Sequence, residues 1–443
     1  MRDNLKERPA LPPNPEAGEP PGRLRRNLAA GWKLAAAWRE PLALFVGWRL
    51  GLGVLAFLAG ILMPGLGRGG TAPYTPANLG PLDERLLGVW SHWDGEWFLY
   101  VAQVGYRPGE YTSPFFPLYP VLVRAMATIL GNYLLAGVLL SAILSLAVFV
   151  LMYLLVSHEV GESTGRRAAL YLAIFPTSFF LAACYSESLF LALSLGAFLA
   201  ARRYSNWWLA GLLVGLAALT RNLGILLLLP LGWEWLVQHR RSLVAPGPGK
   251  GWRIKLDWPG LQPLPTLAFI LLPLAFIGSW LTFNAIALSD PINFMSVQNN
   301  PVWNRRSSLP WQTVAQAFDL FISKLSSLPA GTVYREDPNL LDLVFWLFLA
   351  VTFPVVAYQV WKKRLPLAYL IYFGMAWLLP LFSPAAKEPL LSYPRFALLV
   401  FPAFIGLAIL GERWRFLHYI YLLGAALLLG LLFARFANWY WVA

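Results

Sequence analysis

Apolar stretches of roughly 20 residues recur between residues 41 and 433, and in a bilayer only helices satisfy such backbones within each segment. Hydrophobic residues make up 58% of the 443, more than a soluble domain of this size uses. The expected class is therefore an all-α polytopic membrane protein. A net charge of +13 does not argue for nucleic acid, because Lys and Arg are scattered over short connections and fall on alternate sides of successive stretches. Anionic membrane lipids are the expected counter-charge. The single cysteine, Cys184, makes no intramolecular disulfide, and His92, His158, His239 and His418 lack metal-ligand spacing.

Basic residues set the orientation. Arg23, Arg25, Arg26, Lys33 and Arg39 precede the first stretch, residues 41–62, and start it in the cytoplasm. Residues 1–40 read as a basic, Pro-rich cytoplasmic tail with an interfacial helix around Trp32 and Trp38, not a cleaved signal peptide. Residues 41–443 read as one membrane domain of about eleven transmembrane helices, with outer loops at 63–132 and 289–339. Within the first loop, residues 114–130 are broken by Pro117 and Pro120 and carry Arg124, so they are expected as a juxtamembrane helix. Hairpins over 168–201 and 207–237 turn at Tyr185-Ser186-Glu187 and Thr220-Arg221-Asn222, and a basic Pro/Gly connection follows. No internal repeat is detected. Arg49, inside the first stretch, costs about 2.5–3.5 kcal/mol to insert, so it is expected in the inner half with a partner.

This topology gathers Asp94, Glu187, Arg221, Arg305, Arg306, Lys387 and Arg395 on the outer side. At about 100° per residue, Trp90, Trp93, Trp97, Tyr100, Val101 and Val104 share one stripe of an interfacial helix. Asp94 falls on its margin, while His92, Glu96 and Gln103 point to the polar face. The two acids Asp94 and Glu96 do not converge on a regular helix; a turn at Gly95 would bring them together as a metal-holding pair. Desolvation beside the tryptophans is expected to raise the proton affinity of Asp94, the tuning that a general base needs.

The stretch His92-Trp-Asp94-Gly-Glu-Trp-Phe98, then Ala102-Gln-Val-Gly-Tyr106 and Phe115-Phe-Pro-Leu-Tyr-Pro120, resembles the first-loop pattern of the PIG-V type mannosyltransferases. These are the GPI mannosyltransferase 2 family and its prokaryotic relatives within the GT-C glycosyltransferases. The resemblance continues in order through Phe175-Pro176-Thr177, Tyr185-Ser-Glu-Ser-Leu-Phe190, Gly215 to Asn222, Asp290-Pro291 with Trp303, Arg305 and Arg306, and Tyr393-Pro394-Arg395-Phe396.

The resemblance implies a GT-C type fold and inverting transfer of a hexose, mannose by family, from a polyprenyl-phosphate donor to a glycolipid hydroxyl on the extracytoplasmic face. Asp94 would take the acceptor proton. The leaving group is a lipid phosphate, so Arg395 first, then Arg305 and Arg221, are its expected holders. Arg221 and Arg305 have the alternative of snorkelling to head groups. Sugar or acceptor contacts fall to His92, Trp93, Glu96, Tyr185, Glu187 and Trp303, with Glu187 alternatively pairing with an arginine. No metal and no cofactor are expected. Short loops and a bias of Arg over Lys incline the reading to a prokaryotic plasma membrane rather than the endoplasmic reticulum. A transporter or lipid flippase is the rival, although such proteins tend to show repeats and helices broken at mid-membrane.

Overall fold

The computed structural model describes residues 23–63, 65, 67, 74, 81–246, 252–254, 262–299, 304–326 and 338–443, with side chains of the first helix from Trp38 onward. The chain divides into two compact units, Met1–Glu40 and Pro41–Ala443, and the second carries all that follows.

Helices dominate. In order they are α1 (Arg23–Leu62), α2 (Pro81–Leu86), α3 (Asp94–Val104), α4 (Leu118–Leu130), α5 (Tyr133–Glu159) and α6 (Glu162–Ala173). Then come α7 (Glu187–Arg203), α8 (Trp207–Ala218), α9 (Leu223–Leu226), α10 (Leu228–Leu243), α11 (Pro263–Ala287) and α12 (Asn293–Ser296). The last are α13 (Pro310–Ser326), α14 (Pro338–Trp361), α15 (Leu367–Leu378), α16 (Tyr393–Leu399), α17 (Phe401–Arg413) and α18 (Arg415–Ala437). The basic Pro/Gly connection after α10 contains an antiparallel pair, β1 (Val244–Pro246) and β2 (Trp252–Ile254).

Among the described residues, five helical segments are long and apolar enough to cross a membrane: Trp38–Leu62, Tyr133–Glu159, Pro263–Ala287, Asn339–Trp361 and Arg415–Ala437. Helices α16 and α17 qualify together but bend by 68° at their junction, where Pro402 opens α17 and withholds a backbone donor. By length and composition the described residues thus give five or six such segments, with shorter apolar helices at Leu118–Leu130, Trp207–Ala218 and Leu367–Phe382, and the expected count of about eleven is not reached by this measure. The hydropathy of residues 168–184 is real, yet α6 stops at Ala173, and the rest turns through a buried 3-10 segment, Ser178–Leu181. Hydropathy records burial there, not a continuous crossing. The juxtamembrane helices of the first loop are present as α2, α3 and α4.

Local chemistry explains these boundaries. Asn132 and Asn206 cap α5 and α8, each accepting the amide of the residue three positions on, Leu135 and Leu209, at 3.0 Å. Gly211 lets α8 approach α11 closely: a Cβ there would lie 2.6 Å from the Phe269 Cα. The Arg124 guanidinium on α4 donates to the Ala102 and Gln103 carbonyls, at 2.6 and 2.9 Å, and so closes the C-terminus of α3.

The helix expected across Trp90 to Val104 is interrupted. Residues Gly88–Ser91 form a 3-10 turn, Trp93 adopts φ +58°, and α3 starts at Asp94. The single aromatic stripe therefore splits. Trp90 stacks on Phe433 at 5.3 Å, whereas Trp97 stacks on Phe115 at 5.7 Å. Arg49 lies near the middle of its membrane segment and has the expected partner, its guanidinium 4.0 Å over the Trp90 ring.

Candidate active site

Four elements meet in one ionic cluster. Asp94 and Glu187 are the first residues of α3 and α7, where unsatisfied amides and the helix dipole favour an anion. Arg395 is the third residue of α16, and Arg221 follows the end of α8. Arg395 Nε donates to Glu187 Oε1 at 2.7 Å and its Nη1 to Asp94 Oδ2 at 2.5 Å. Arg221 Nη1 reaches the same Glu187 Oε1 at 2.9 Å and Ser186 Oγ at 3.3 Å. The cluster spans residues more than 300 positions apart in sequence.

Aromatic packing holds it. The Arg395 guanidinium lies 4.7 Å over Tyr185 and 5.6 Å from Phe180. Tyr185 donates its hydroxyl to the His92 carbonyl at 2.9 Å and accepts the Asp94 amide at 3.1 Å, tying the strained Trp93 turn to the start of α3. Gly95 leaves room for this ring, since a Cβ there would sit 3.3 Å from Tyr185 Cε2.

The start of α16 is itself braced. Asp342, buried on α14, accepts the Tyr393 amide at 3.2 Å, and the Thr177 hydroxyl donates to the Pro394 carbonyl at 2.8 Å. Sequence reasoning missed Asp342 because one acid near a span end has no local pattern; only the fold brings it to α16. Phe175-Pro176-Thr177 was singled out by resemblance, and Thr177 now has a mechanical reason.

Arg305 arrives from the second large loop. The amides of Arg305, Arg306 and Ser308 bond to Gln298, Pro384 and Phe382, and Arg305 bridges Ala385, which zips that loop onto residues 382–386. Its Nη1 donates to the Ser383 carbonyl at 2.7 Å, and among the described residues it forms no ion pair. Burial pushes the Arg305 guanidinium below its ordinary value, while the nearby Asp94 carboxylate opposes that shift. The Asp342 carboxylate acts on it in the same sense, so Arg221, Arg305 and Arg395 share the field of Asp94, Glu187 and Asp342.

The structure brings Asp94, Glu187, Arg221 and Arg395 together, with Tyr185 beside them and Arg305 within electrostatic reach. Several expected contacts need correction. Asp94 faces a guanidinium, not an apolar wall. His92 is buried, not on a polar face: its Nδ1 meets the Phe436 carbonyl at 3.0 Å and its ring stacks on Trp439 at 3.8 Å. Glu96 is also buried. Tyr185 and Glu187 are fully buried, and Glu187 takes the expected alternative of pairing with arginines, Arg221 and Arg395. Trp93 is half-buried against Trp439 and Trp441, at 5.8 and 5.0 Å, aromatics that the motif reading did not include. Trp303 lies outside the described residues.

The fold and cluster define a helical, multi-pass membrane protein with a buried charge site at the junction of its loops and helix ends. Residues 72–241 match the family described as Mannosyltransferase (PIG-V). It is 32% identical over 203 residues to the rat GPI alpha-1,6-mannosyltransferase 2, covering 42% of this chain and 40% of that one. With the human protein of the same description it is 32% identical over 169 residues, 34% of each chain. The chain thus spans about two fifths of the length of the curated relatives it matches. An Archaeoglobus fulgidus oligosaccharyltransferase, solved with an inhibitory peptide and a dolichol-phosphate, aligns with a TM-score of 0.43 and 15% identity over 89% of this chain and 56% of that one.

Proposed function

We propose that this chain is an inverting GT-C type mannosyltransferase that moves mannose from a polyprenyl-phosphate donor to a hydroxyl of a glycolipid acceptor, with Asp94 as the general base. One observation carries the assignment. Within the cluster the Glu187 side chain is 0% exposed and that of Asp94 is 28% exposed, so Asp94 is its one carboxylate open to a substrate. Arg395 holds Oδ2, which leaves Oδ1 to accept the proton of an incoming hydroxyl.

In this mechanism the acceptor oxygen forms a bond to the anomeric carbon on the face opposite the phosphate. The bond from that carbon to the phosphate oxygen breaks, its electron pair leaves with the polyprenyl phosphate, and the acceptor proton passes to Asp94. Charge builds on the departing phosphate, and Arg305, which forms no ion pair among the described residues, is the guanidinium proposed to meet it. Arg395 and Arg221 are occupied by Asp94 and Glu187; they hold the base and the helix ends and raise the local positive potential. The residue matches and the family description support mannose as the sugar. The charge pattern supports an extracytoplasmic site, in a prokaryotic plasma membrane.

The 68° bend at the α16–α17 junction is a feature that a lipid flippase would share, so the test separates the two readings. Purified Asp94→Asn should transfer mannose from polyprenyl-phosphate-mannose to a glycolipid at least ~10²-fold more slowly than wild type, with an unchanged unfolding midpoint. Unchanged turnover removes Asp94 as the base, and lipid translocation without any transfer by the wild type favours the flippase.

A further inference from the structure

At the far end of α7 from Glu187 there is a second set of charges. Arg202 donates Nε and Nη2 to the two Glu159 oxygens at 2.6 and 2.7 Å, and Nη1 to Glu234 Oε1 at 2.7 Å. The Tyr369 hydroxyl donates to Glu159 at 3.1 Å and the Gln238 amide to Glu234 at 2.9 Å. Glu159, Arg202 and Glu234 form one wall of a cavity of about 510 Å³, whose other wall is the α14–α15 turn, with Lys363, Arg364, Leu365 and Pro366.

Charge and shape identify what fits. Arg202 is spent on the two glutamates, so it offers an incoming anion nothing. Lys363 and Arg364 are exposed, and among the described residues neither has a carboxylate partner. Lys363 sits at φ +55° in a turn held by bonds from the amides of Lys363 and Arg364 to the Val360 and Gln359 carbonyls, both 2.9 Å, so the backbone that carries the two cations is held at the cavity mouth. The flank of the mouth is apolar and uncovered: Trp233 and Val237 line the cavity from α10, and Leu229 and Leu236 on the same helix are exposed with them. A cationic pair beside an exposed apolar face at the basic end of a membrane helix bundle matches a phosphate head group with attached acyl chains.

We infer that this cavity binds an anionic phospholipid, its phosphate on Lys363 and Arg364 and its chains along the Trp233 face of α10. The site lies about 22 Å along α7 from the Asp94 cluster, at 1.5 Å per residue, and does not depend on the reading of that cluster. A free phosphate would use the same cations but not the apolar flank.

The test uses the full chain in phosphatidylcholine nanodiscs, titrated with phosphatidylglycerol and read by native mass spectrometry. Wild type should retain one phosphatidylglycerol through delipidation, whereas Lys363→Gln/Arg364→Gln should bind it roughly 30-fold more weakly, as expected for two cations at a membrane surface. Arg413→Gln/Arg415→Gln removes the same charge outside the cavity and should bind like wild type. Trp233→Ala should weaken phosphatidylglycerol but not inorganic phosphate. Equal retention by the Lys363/Arg364 and Arg413/Arg415 double variants, or undiminished phosphatidylglycerol binding by Trp233→Ala, would overturn the proposal.

Discussion

The two ends of α7 carry the same chemistry and put it to opposite use. At the Arg202 end two carboxylates surround one guanidinium, and a tyrosine and a glutamine occupy further lone pairs. At the Glu187 end two guanidiniums share one carboxylate oxygen, Glu187 Oε2 has no hydrogen-bond partner, and Asp94 stays partly open. Buried charge is costly unless it is paired, so the first arrangement closes a structural joint between α5, α7, α10 and α15. The second leaves one accessible carboxylate near an arginine that forms no ion pair among the described residues, the groups that a hydroxyl acceptor and an anionic leaving group require.

Breaking the closed joint should produce the largest change in stability. Arg202→Gln strands two buried glutamates and should cost about 3–5 kcal/mol in denaturant unfolding, while turnover per folded molecule stays close to wild type. A cost under about 1 kcal/mol would show that solvent, not Arg202, satisfies those acids. A smaller effect is expected at the open cluster from Arg305→Gln. Its donor KM should rise about tenfold, as for loss of one charge-assisted phosphate contact, with kcat within roughly threefold and the unfolding midpoint unchanged. An unchanged KM would return Arg305 to a loop-fastening role through Ser383. The smallest expected effect is at Asp342. Removing the acceptor by Asp342→Ala should cost about 1 kcal/mol and slow turnover by displacing Arg395, whereas Asp342→Asn keeps an acceptor for Tyr393 and should restore both. Equal behaviour of the two variants would mean that the bond to Tyr393 does not position α16.

The contrast between the two ends also shows what was legible from sequence. Hydropathy and basic clusters placed the class, the first-loop helices and the turns that present Glu187 and Arg221. Hydropathy alone did not separate a crossing helix from a buried, broken one, which is why residues 168–184 read as a span and fold as α6 plus a 3-10 turn. Motif order pointed to Asp94, Arg221, Arg305 and Arg395, but not to which guanidinium would be consumed by which acid. That depends on Asp342, Thr177 and Tyr185 fixing the starts of α16 and α3, contacts made across 51, 217 and 91 positions of sequence. The helical wheel failed at His92 and Glu96 because the left-handed Trp93 resets the phase immediately before α3. The Arg202 joint was invisible for the same reason, since Glu159, Glu234 and Tyr369 look like separate span-end residues until α7 gathers them.

The most direct measurement is mannosyl transfer from polyprenyl-phosphate-mannose per folded molecule, with Asp94→Asn and Arg202→Gln assayed side by side. The account predicts a loss of at least ~10²-fold in the first and less than ~3-fold in the second. Near-wild-type transfer by Asp94→Asn, or an equal collapse in both, would contradict the assignment of chemistry to one end of α7 and scaffolding to the other.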